Sequence, residues 1–311
     1  MQTQAQWQKR VIKTGVGIVI VGLLGGGILV GLFVLNGLAL AKQEVPVIGE
    51  TAHPGKQIPG EAAERQIKIL AYNVAKGFIH KGGLSFAAPE KVAQRLERIA
   101  DVIRAEQPDL VFLSEIMLEC GPSPGNQVVA LAEATGMHAW GFGENTNIGI
   151  PFYRIVGGNA ILSRFPLEPV ENIPLAGRQP FYVTRNNRRM LWCAANIAGQ
   201  RLLLAAVHTD SFNPDNNLRQ TRQMLGYLHG RPAILAGDFN ANPSEPSIEL
   251  LERSGLFAGA VEGPLTFPAR APEQRIDFIF APNSWKLVEH RVIQNQASDH
   301  LPVVSTFRIP L

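Results

Sequence analysis

Three short clusters in the carboxyl-terminal third of the chain combine carboxylates, an amide and a histidine. Asp238 and Asn240 stand in a Gly-Asp-Phe-Asn segment, Asp277 in Arg-Ile-Asp-Phe-Ile, and Asp299 and His300 end a Ser-Asp-His segment. Such side chains are costly to bury unless they are paired or hold a metal. Hard oxygen ligands beside a histidine are typical of magnesium-dependent phosphoryl transfer, so these clusters predict a site of that kind.

The same pattern of an apolar run closed by a polar side chain recurs earlier in the chain. Asn73 closes the run 67–72, Glu115 comes shortly after the run 109–113, and His208 follows the run 202–207. Short apolar runs bounded by polar residues are typical of buried strands. We therefore expect several strand ends to bring these polar side chains to one place.

The remaining pattern alternates strands with helices. Helical spacing of apolar residues covers 90–105, and the segments 126–135, 217–229 and 246–253 also predict helices. Further strands are predicted over 158–162, 190–197, 233–236, 276–280, 287–293 and 302–308, with 190–197 and 202–207 forming a hairpin. Because strands outnumber helices and many follow one another directly, we expect an α/β domain over 66–311 with mixed or paired sheets and outer helices.

The amino-terminal region predicts a membrane anchor. Residues 1–13 form a short basic segment, and no charged residue occurs from Thr14 to Ala41. A helix needs roughly 20 apolar residues to cross a bilayer, and the preceding basic residues place the amino terminus in the cytoplasm. The alternative is a signal peptide cleaved after Ala41, but the apolar run is longer than such peptides use. Both hypotheses place the domain outside the cytoplasm, after a Pro- and Gly-rich linker over 42–65.

Charge and cysteine content narrow the remaining choices. The formal net charge of +3 is too small to indicate nucleic-acid binding by itself. The densest basic group is Arg185, Arg188 and Arg189, which predicts either a phosphate-binding patch or a solvated loop. Cys120 and Cys193 either pair or stay as two buried thiols, and we favour the thiols. Neither cysteine has the spacing of a zinc site.

From about residue 66 to 308, the ordered motifs resemble the endonuclease/exonuclease/phosphatase superfamily, which includes exonuclease III, pancreatic DNase and bacterial sphingomyelinases. Besides the three clusters, the matching segments are Tyr72-Asn73, Ser114-Glu115, the run 158–163 and Val207-His208. Each segment alone is weak, and the order of the whole set carries the resemblance. It implies a four-layer α/β/β/α sandwich of two packed mixed sheets, with the site at one edge and, here, a membrane-anchored bacterial form.

The resemblance also implies the metal ligands. Glu115 would be the main carboxylate ligand of Mg²⁺, with Mn²⁺ as the alternative ion, and Asn73 would bind through its amide oxygen. Asp299 would contact a second metal or the groups around the first. Arg185 and Arg188 are candidates for binding the substrate phosphate.

The catalytic roles implied by the resemblance fall to five side chains. Asp238 would orient or deprotonate the attacking water, and Asn240 would hold that water or a phosphate oxygen. Asp277 would fix the tautomer of His300 and favour its imidazolium form. His208 would donate to the phosphate or to the leaving oxygen. Whether Asp238 or His300 takes the proton of the water stays open at this stage.

Two departures from the superfamily pattern concern the same side chains. Many relatives have glutamine before the metal-binding glutamate, whereas this chain has Ser114. Relatives similar to pancreatic DNase pair the middle histidine with a carboxylate, and no equivalent stands out between residues 120 and 160. The protonation state of His208 is therefore open.

The leading hypothesis is a membrane-anchored, Mg²⁺-dependent phosphoesterase that hydrolyses a phosphodiester by metal-assisted attack of water. A bilayer-bound site favours a lipid head group or a glycolipid, as in remodelling of glycosylphosphatidylinositol anchors, over nucleic acid. An extracytoplasmic nuclease is the alternative within the same chemistry. A catalytically silent binding module is the alternative of another class, but it would predict the loss of a central ligand. No obligate protein partner is implied.

Overall fold

The computed structural model describes residues 4–40, 44–52, 65–78, 87–121, 125–150, 153–177 and 188–310. The helices are α1 Gln4–Leu40, α2 Pro89–Glu106, α3 Gln127–Ala134, α4 Pro214–Leu228 and α5 Pro246–Arg253. The strands are β1 Val47–Glu50, β2 Arg65–Asn73, β3 Leu110–Cys120, β4 Ala139–Ile150, β5 Tyr153–Ser163, β6 Glu168–Pro174, β7 Arg189–Ile197, β8 Gln200–His208, β9 Ala233–Asp238, β10 Phe257–Gly259, β11 Asp277–Pro282, β12 Lys286–Val292 and β13 Val303–Ile309.

These strands form two mixed sheets. The seven-stranded sheet has the order β1-β4-β5-β3-β2-β13-β12, and the six-stranded sheet has the order β10-β11-β9-β8-β7-β6. Among the described strands, β2 pairs with β3 in parallel in the first sheet and β8 pairs with β9 in parallel in the second, whereas the other pairings are antiparallel. Each sheet therefore contains one parallel pair of strands among antiparallel neighbours.

Three apolar layers hold the sandwich together. A central core joins the facing sides of the two sheets, with Phe112 and Phe307 from one sheet and Leu204 and Ile279 from the other. Helices α2 and α3 cover the outer face of the seven-stranded sheet, and α4 and α5 cover that of the six-stranded sheet. This is the expected α/β class with two packed mixed sheets and outer helices.

The helices begin where local chemistry favours it. The side chains of Asn126 and Asn213 cap α3 and α4 by accepting backbone N–H groups of the first turn. Proline stands at the start of α2, α4 and α5, where its missing N–H costs nothing. These signals are local, which is why the helix predictions over 90–105, 217–229 and 246–253 lie close to the observed bounds.

Four strands were not predicted, and one of them lies inside the expected linker. Strand β1 lies within 42–65 and pairs with β4 at the edge of the seven-stranded sheet, so that this part is ordered structure; residues 53–64 lie outside the described residues. The other three are β4, β6 and β10. Short, glycine-rich or proline-containing strands carry little local signal, and neighbouring strands supply their order.

Helix α1 contains one segment, Gln6–Leu32, that is apolar and long enough to cross a membrane. It starts before the predicted segment 14–41 because Gln4 to Lys13 continues the same helix. A single helix of this kind is compatible with a membrane anchor or with a signal sequence. Ala41, the expected cleavage position, lies outside the described residues.

The structure decides between a disulfide and two buried thiols. Cys120 and Cys193 are both buried and are not joined by a disulfide. Burial raises the pKa of the Cys193 thiol to about 12.

Candidate active site

The two parallel strand pairs deliver four of the expected site residues. In the first sheet, Asn73 at the end of β2 is in register with Ser114, next to Glu115. In the second sheet, His208 at the end of β8 is in register with Asp238 at the end of β9. Parallel neighbours end at the same edge of a sheet, and open sheets bind ligands beyond those ends. The packing of the two sheets then brings both edges together.

Strand β3 does not end at Glu115 as predicted but continues to Cys120. Its pairing with β5 shifts register between Leu113 and Ile116, so a bulge lies at this point. Glu115 adopts a positive φ of 54°, which is uncommon for residues other than glycine. Bulges often re-aim a side chain next to an active site, and this one sets the direction of Glu115.

Asp238 and Asn240 are fixed by the segment that contains them. Gly237 has a φ of 140°, and a Cβ there would lie 2.2 Å from the carbonyl oxygen of Val207, so only glycine fits between β8 and β9. The backbone N–H of Asn240 donates to Asp238 Oδ1 at 2.9 Å. The Asn240 side chain donates to the Thr209 carbonyl at 3.0 Å, which ties the ends of β8 and β9 together.

His300 and Asp277 form a buried dyad. Nδ1 of His300 lies 2.9 Å from Oδ2 of Asp277, and Nε2 lies 3.7 Å from Oδ2 of Asp238. Burial acts to lower the pKa of His300, but the charges of Asp277 and Asp238 outweigh it and raise this pKa to about 10. The ring of Phe267 packs against the imidazole with 4.7 Å between ring centres. His300 is therefore held as an imidazolium with one N–H directed at Asp277.

Asp238 stands between the two histidines and has an altered acidity of its own. Its Oδ2 accepts a hydrogen bond from Asn73 Nδ2 at 3.0 Å. Burial raises the pKa of Asp238 to about 6, with His300 opposing the shift and Asp277 adding to it. A carboxylate with that pKa titrates close to neutral pH, which is where a general base is most effective.

The side chain that contacts His208 is a cation, whereas relatives similar to DNase pair this histidine with a carboxylate. A guanidinium nitrogen of Arg188 contacts Nε2 of His208, and another donates to Ser211 Oγ at 3.3 Å. Burial lowers the pKa of His208 well below its usual 6.5, and the charge of Arg188 adds to this effect. Because arginine only donates, Nε2 of His208 is the acceptor of this contact.

Glu115 is surrounded by positive charge. Its carboxylate contacts the ammonium of Lys76, and its Oε1 lies 3.8 Å from Nε2 of His208. Burial acts to raise the pKa of Glu115, but the charges of Lys76 and Arg188 outweigh it and hold the pKa well below its usual value. Glu115 is therefore ionised at neutral pH.

Lys76 was not among the predicted residues. It stands three residues after Asn73, in a single turn of 3-10 helix over Ala75–Gly77, with a positive φ of 58°. The available signal was its place directly beyond a strand that ends in a candidate ligand. Sequence spacing does not show that its side chain turns back toward Glu115.

The remaining predicted residues make further contacts around this centre. Asn73 Oδ1 accepts the backbone N–H of Ala75 at 3.0 Å. Asp299 is half-buried, and its Oδ1 accepts from Ser298 Oγ at 3.2 Å. It lies close enough to help raise the pKa of His300. Arg185 lies outside the described residues.

The described residues also contain a buried cluster of metal-ligating types. Ligand atoms of Asp238, Asp277 and His300 all lie within 4.8 Å of one another. Within this cluster, Nδ1 of His300 and Oδ2 of Asp277 are already bonded to each other. Oxygen ligands for an ion are therefore better supplied by the neighbouring Glu115 and Asn73.

The chain that carries this site is similar to several known proteins. A model of the Endonuclease/Exonuclease/phosphatase family matches residues 70–300. The uncharacterised protein YbhP of Escherichia coli K12 is 25% identical over 244 residues, which cover 73% of this chain and 89% of YbhP. An endonuclease/exonuclease/phosphatase structure from Beutenbergia cavernae is 23% identical, covers 79% of this chain and 72% of its own, and has a TM-score of 0.58. A mannosyl-6-phosphatase from Bacteroides thetaiotaomicron is 18% identical, with 78% and 98% coverage and a TM-score of 0.55.

Proposed function

We propose that this chain is a membrane-anchored, Mg²⁺-dependent phosphodiesterase. It belongs to the endonuclease/exonuclease/phosphatase family of phosphoester hydrolases. The observation that carries this proposal is the meeting of the two parallel strand pairs, the end of β2 with the bulge of β3 from one sheet and the ends of β8 and β9 from the other. They bring an ionised carboxylate, Glu115, to a second carboxylate, Asp238, that is flanked by two histidines. Hydrolysis of a phosphate ester needs these types of group.

Glu115 and Asn73 would hold the magnesium ion. Both supply hard oxygen atoms, and Mg²⁺ is usually bound by one or two carboxylates with water and phosphate completing its shell. When bound, the ion would polarise the phosphoryl oxygens. The long side chain of Lys76 is 36% exposed, so it is free to turn from Glu115 toward a phosphate oxygen. Asp299, which lies beside Ser298, would contact the groups around this ion.

The chain's own residues would manage the proton and the charge. In our proposal Asp238 takes the proton of the attacking water, and Asn240 holds Asp238 in place through its backbone N–H. His300, whose two nitrogens face Asp277 and Asp238, serves as a charged donor toward the phosphoryl group. The donor role expected of His208 passes to Arg188, because Arg188 occupies the Nε2 atom of His208.

The proposed substrate and the proposed location both depend on the membrane anchor. Helix α1 would hold the domain at the outer surface of the membrane, with the basic residues of its first turns in the cytoplasm. We therefore propose an anionic phosphodiester of the membrane, a lipid head group or a glycolipid, as the substrate.

The first test measures hydrolysis of bis(4-nitrophenyl) phosphate by the full chain in detergent, with Mg²⁺ or with a chelator. We expect turnover that requires the metal and falls at least about 100-fold in Glu115→Gln, as loss of a central charged group does. Glu119→Gln is the matched control, since Glu119 lies on the same strand but is half exposed and faces Arg154 at 3.9 Å. Full activity of Glu115→Gln would contradict the proposed site.

The second test compares plasmid DNA, RNA and mixed phospholipid vesicles with the same enzyme. Release of head groups from vesicles, with DNA and RNA left intact, supports the membrane substrate. Metal-dependent nicking of DNA that disappears in Glu115→Gln would replace it with an extracytoplasmic nuclease. Absence of turnover on every substrate would favour a binding module.

A further inference from the structure

The chain enters the sandwich from helix α1 at the edge that carries the active site. Val47, the first residue of β1, pairs with Phe142 of β4, and β1 continues from there to Glu50 beside earlier residues of β4. The pairing of β4 with β5, of β5 with β3 and of β3 with β2 places Phe142 level with Tyr72, the residue before Asn73. Strand β1 therefore begins beside the active-site edge and runs away from it.

The hairpin of β4 and β5 projects beyond this edge on the same side. Its pairing continues past Phe142 as far as Ile150 and Tyr153. At about 3.4 Å per residue, the hairpin extends roughly 25 Å beyond Phe142. Because β1 is antiparallel to β4, this projection lies toward the side from which the chain enters, and α1 itself contacts β4.

The segment between the anchor and β1 is short. Lys42 is the first charged residue after the apolar run, and Val47 follows five residues later. An extended chain spans at most about 3.6 Å per residue, so β1 begins within roughly 18 Å of Lys42. The hairpin projects farther than this segment reaches. Strands that point toward the membrane therefore bring the tip of the hairpin to the bilayer surface.

Exposed apolar side chains occur at the same edge. Among the described residues after α1, the large apolar side chains that are more than a third exposed are Val45, Val47, Tyr153, Phe212, Leu256, Leu265 and Val288. Two of them lie where the chain enters β1, and Tyr153 lies at the tip of the hairpin. Phe212, which is 77% exposed, lies beyond the end of β8. Leu265 adjoins Thr266, whose hydroxyl accepts the backbone N–H of Asp277. Five of these seven side chains therefore lie at the active-site edge.

A bilayer surface fits this arrangement. Single exposed apolar side chains are ordinary on soluble proteins, but these five lie around the opening of one site. Aromatic rings such as that of Tyr153 are favoured at the level of the lipid head groups, and each apolar side chain that enters this region leaves water. The membrane is also the surface that an anchor in α1 would hold at this edge.

We propose that the active-site edge docks on the bilayer that α1 crosses, with Tyr153 and Phe212 in its head-group region. This inference rests on the proposed function, in which α1 is an anchor. The active site then opens onto the membrane surface, and its substrates are phosphoesters that this surface presents.

Lipid contact is measured on the full chain in vesicles of phosphatidylcholine and phosphatidylglycerol. Tyr153→Cys, Phe212→Cys and Leu256→Cys each receive an environment-sensitive fluorophore; the two native cysteines are buried, and wild type treated in the same way gives the background. Leu256 is the matched control, because the residue after it pairs with the end of β11 remote from Asp277. Nitroxide-labelled lipids should quench the label at residues 153 and 212 at least about twofold and leave the label at residue 256 unquenched.

Two results of this measurement would overturn the inference. One is absence of quenching at residues 153 and 212, or equal quenching at all three positions. The other is a fluorescence change that lipid nitroxides do not quench and that grows with protein density, which would assign this edge to a second copy of the chain.

Hydrolysis separates docking from catalysis. The double variant Tyr153→Ser and Phe212→Ser should hydrolyse bis(4-nitrophenyl) phosphate at the wild-type rate, which also shows that it folds. Its hydrolysis of phospholipid in the same vesicles should fall about tenfold, because the anchored site is no longer held against the surface. Leu256→Ser should leave both rates unchanged. Loss on both substrates, or on neither, would contradict the docking.

The docking and the proposed function fail in different ways. If the wild type hydrolyses neither phospholipid nor bis(4-nitrophenyl) phosphate, the proposed function fails, while lipid quenching at residues 153 and 212 still supports the docked edge. If hydrolysis is normal and neither position is quenched, the docking fails and the proposed function stands.

Discussion

His300 and His208 face the same oxygen of Asp238 and yet differ in protonation. Their Nε2 atoms lie 3.7 and 3.6 Å from Asp238 Oδ2, and both side chains are buried. Burial acts to lower the pKa of both imidazoles. The pKa of His300 is nevertheless raised to about 10, whereas that of His208 is lowered well below 6.5.

The difference comes from one further neighbour of each ring. The Nδ1 atom of His300 contacts the carboxylate of Asp277, and the Nε2 atom of His208 contacts the guanidinium of Arg188. Opposite charge favours the imidazolium in the first case, and like charge disfavours it in the second. The charge of the partner, and not the depth of burial, therefore decides the function available to each histidine.

The largest expected effect follows from removing the charge of the dyad. Asp277→Asn should reduce kcat on bis(4-nitrophenyl) phosphate by about 10²–10⁴-fold, because His300 loses both its orientation and its positive charge. Steady-state kinetics of the full chain with Mg²⁺ measure this. Asp215→Asn on the exposed first turn of α4 is the control. Equal activities of the two variants would show that the dyad is not used.

The next prediction measures the two protonation states directly. In the full chain with chelator, ¹⁵N chemical shifts should show His300 charged and His208 neutral from pH 6.5 to pH 9, because their pKa values lie on either side of that window. The single variants His300→Gln and His208→Gln assign the two signals among the seven histidines. A midpoint for either ring inside the window would contradict the comparison.

The smallest expected effect sharpens the comparison at His208. Arg188→Gln should move the pKa of His208 back toward 6.5, because a like charge beside the ring is removed. Activity at neutral pH should fall only about tenfold, which corresponds to the loss of one hydrogen bond worth roughly 1.4 kcal/mol. The same NMR titration measures the shift. Arg201→Gln, at an exposed pair with Glu168, should leave the titration of His208 unchanged.

The parts of the fold that the sequence predicted share strong local signals. Helix α5 has the predicted bounds, and strands β8 and β9 each contain an uninterrupted apolar run. The missed strands lack such runs. In β6, Pro169 and Pro174 are tolerated because the strand lies at a sheet edge.

Strand β4 was missed for a reason that only its partner shows. A Cβ at Gly158 would lie 1.9 Å from the carbonyl oxygen of Gly143, so glycines let β4 and β5 approach closely. In the sequence alone, Gly141 and Gly143 within β4 indicate a loop. Only the pairing with β5 shows that this segment is a strand.

The candidate site shows the same division. Residue types and chain order indicated Asn73, Glu115, Asp238, Asp277 and His300, because few side chains serve metal binding and proton transfer. The contact of Lys76 with Glu115 joins residues 39 apart in the chain, and the contact of Arg188 with His208 joins residues 20 apart. No local pattern marks such contacts.

The sequence by itself determined the α/β class, the apolar amino-terminal helix and the chemistry-bearing residues, since each of these depends on residue type and local spacing. The tertiary structure decided which charge lies against which histidine, how the bulge in β3 directs Glu115, and that β1 begins at the edge of the sandwich that carries the active site. Electrostatic interaction depends on distance in space, and folding sets that distance between residues far apart in the chain.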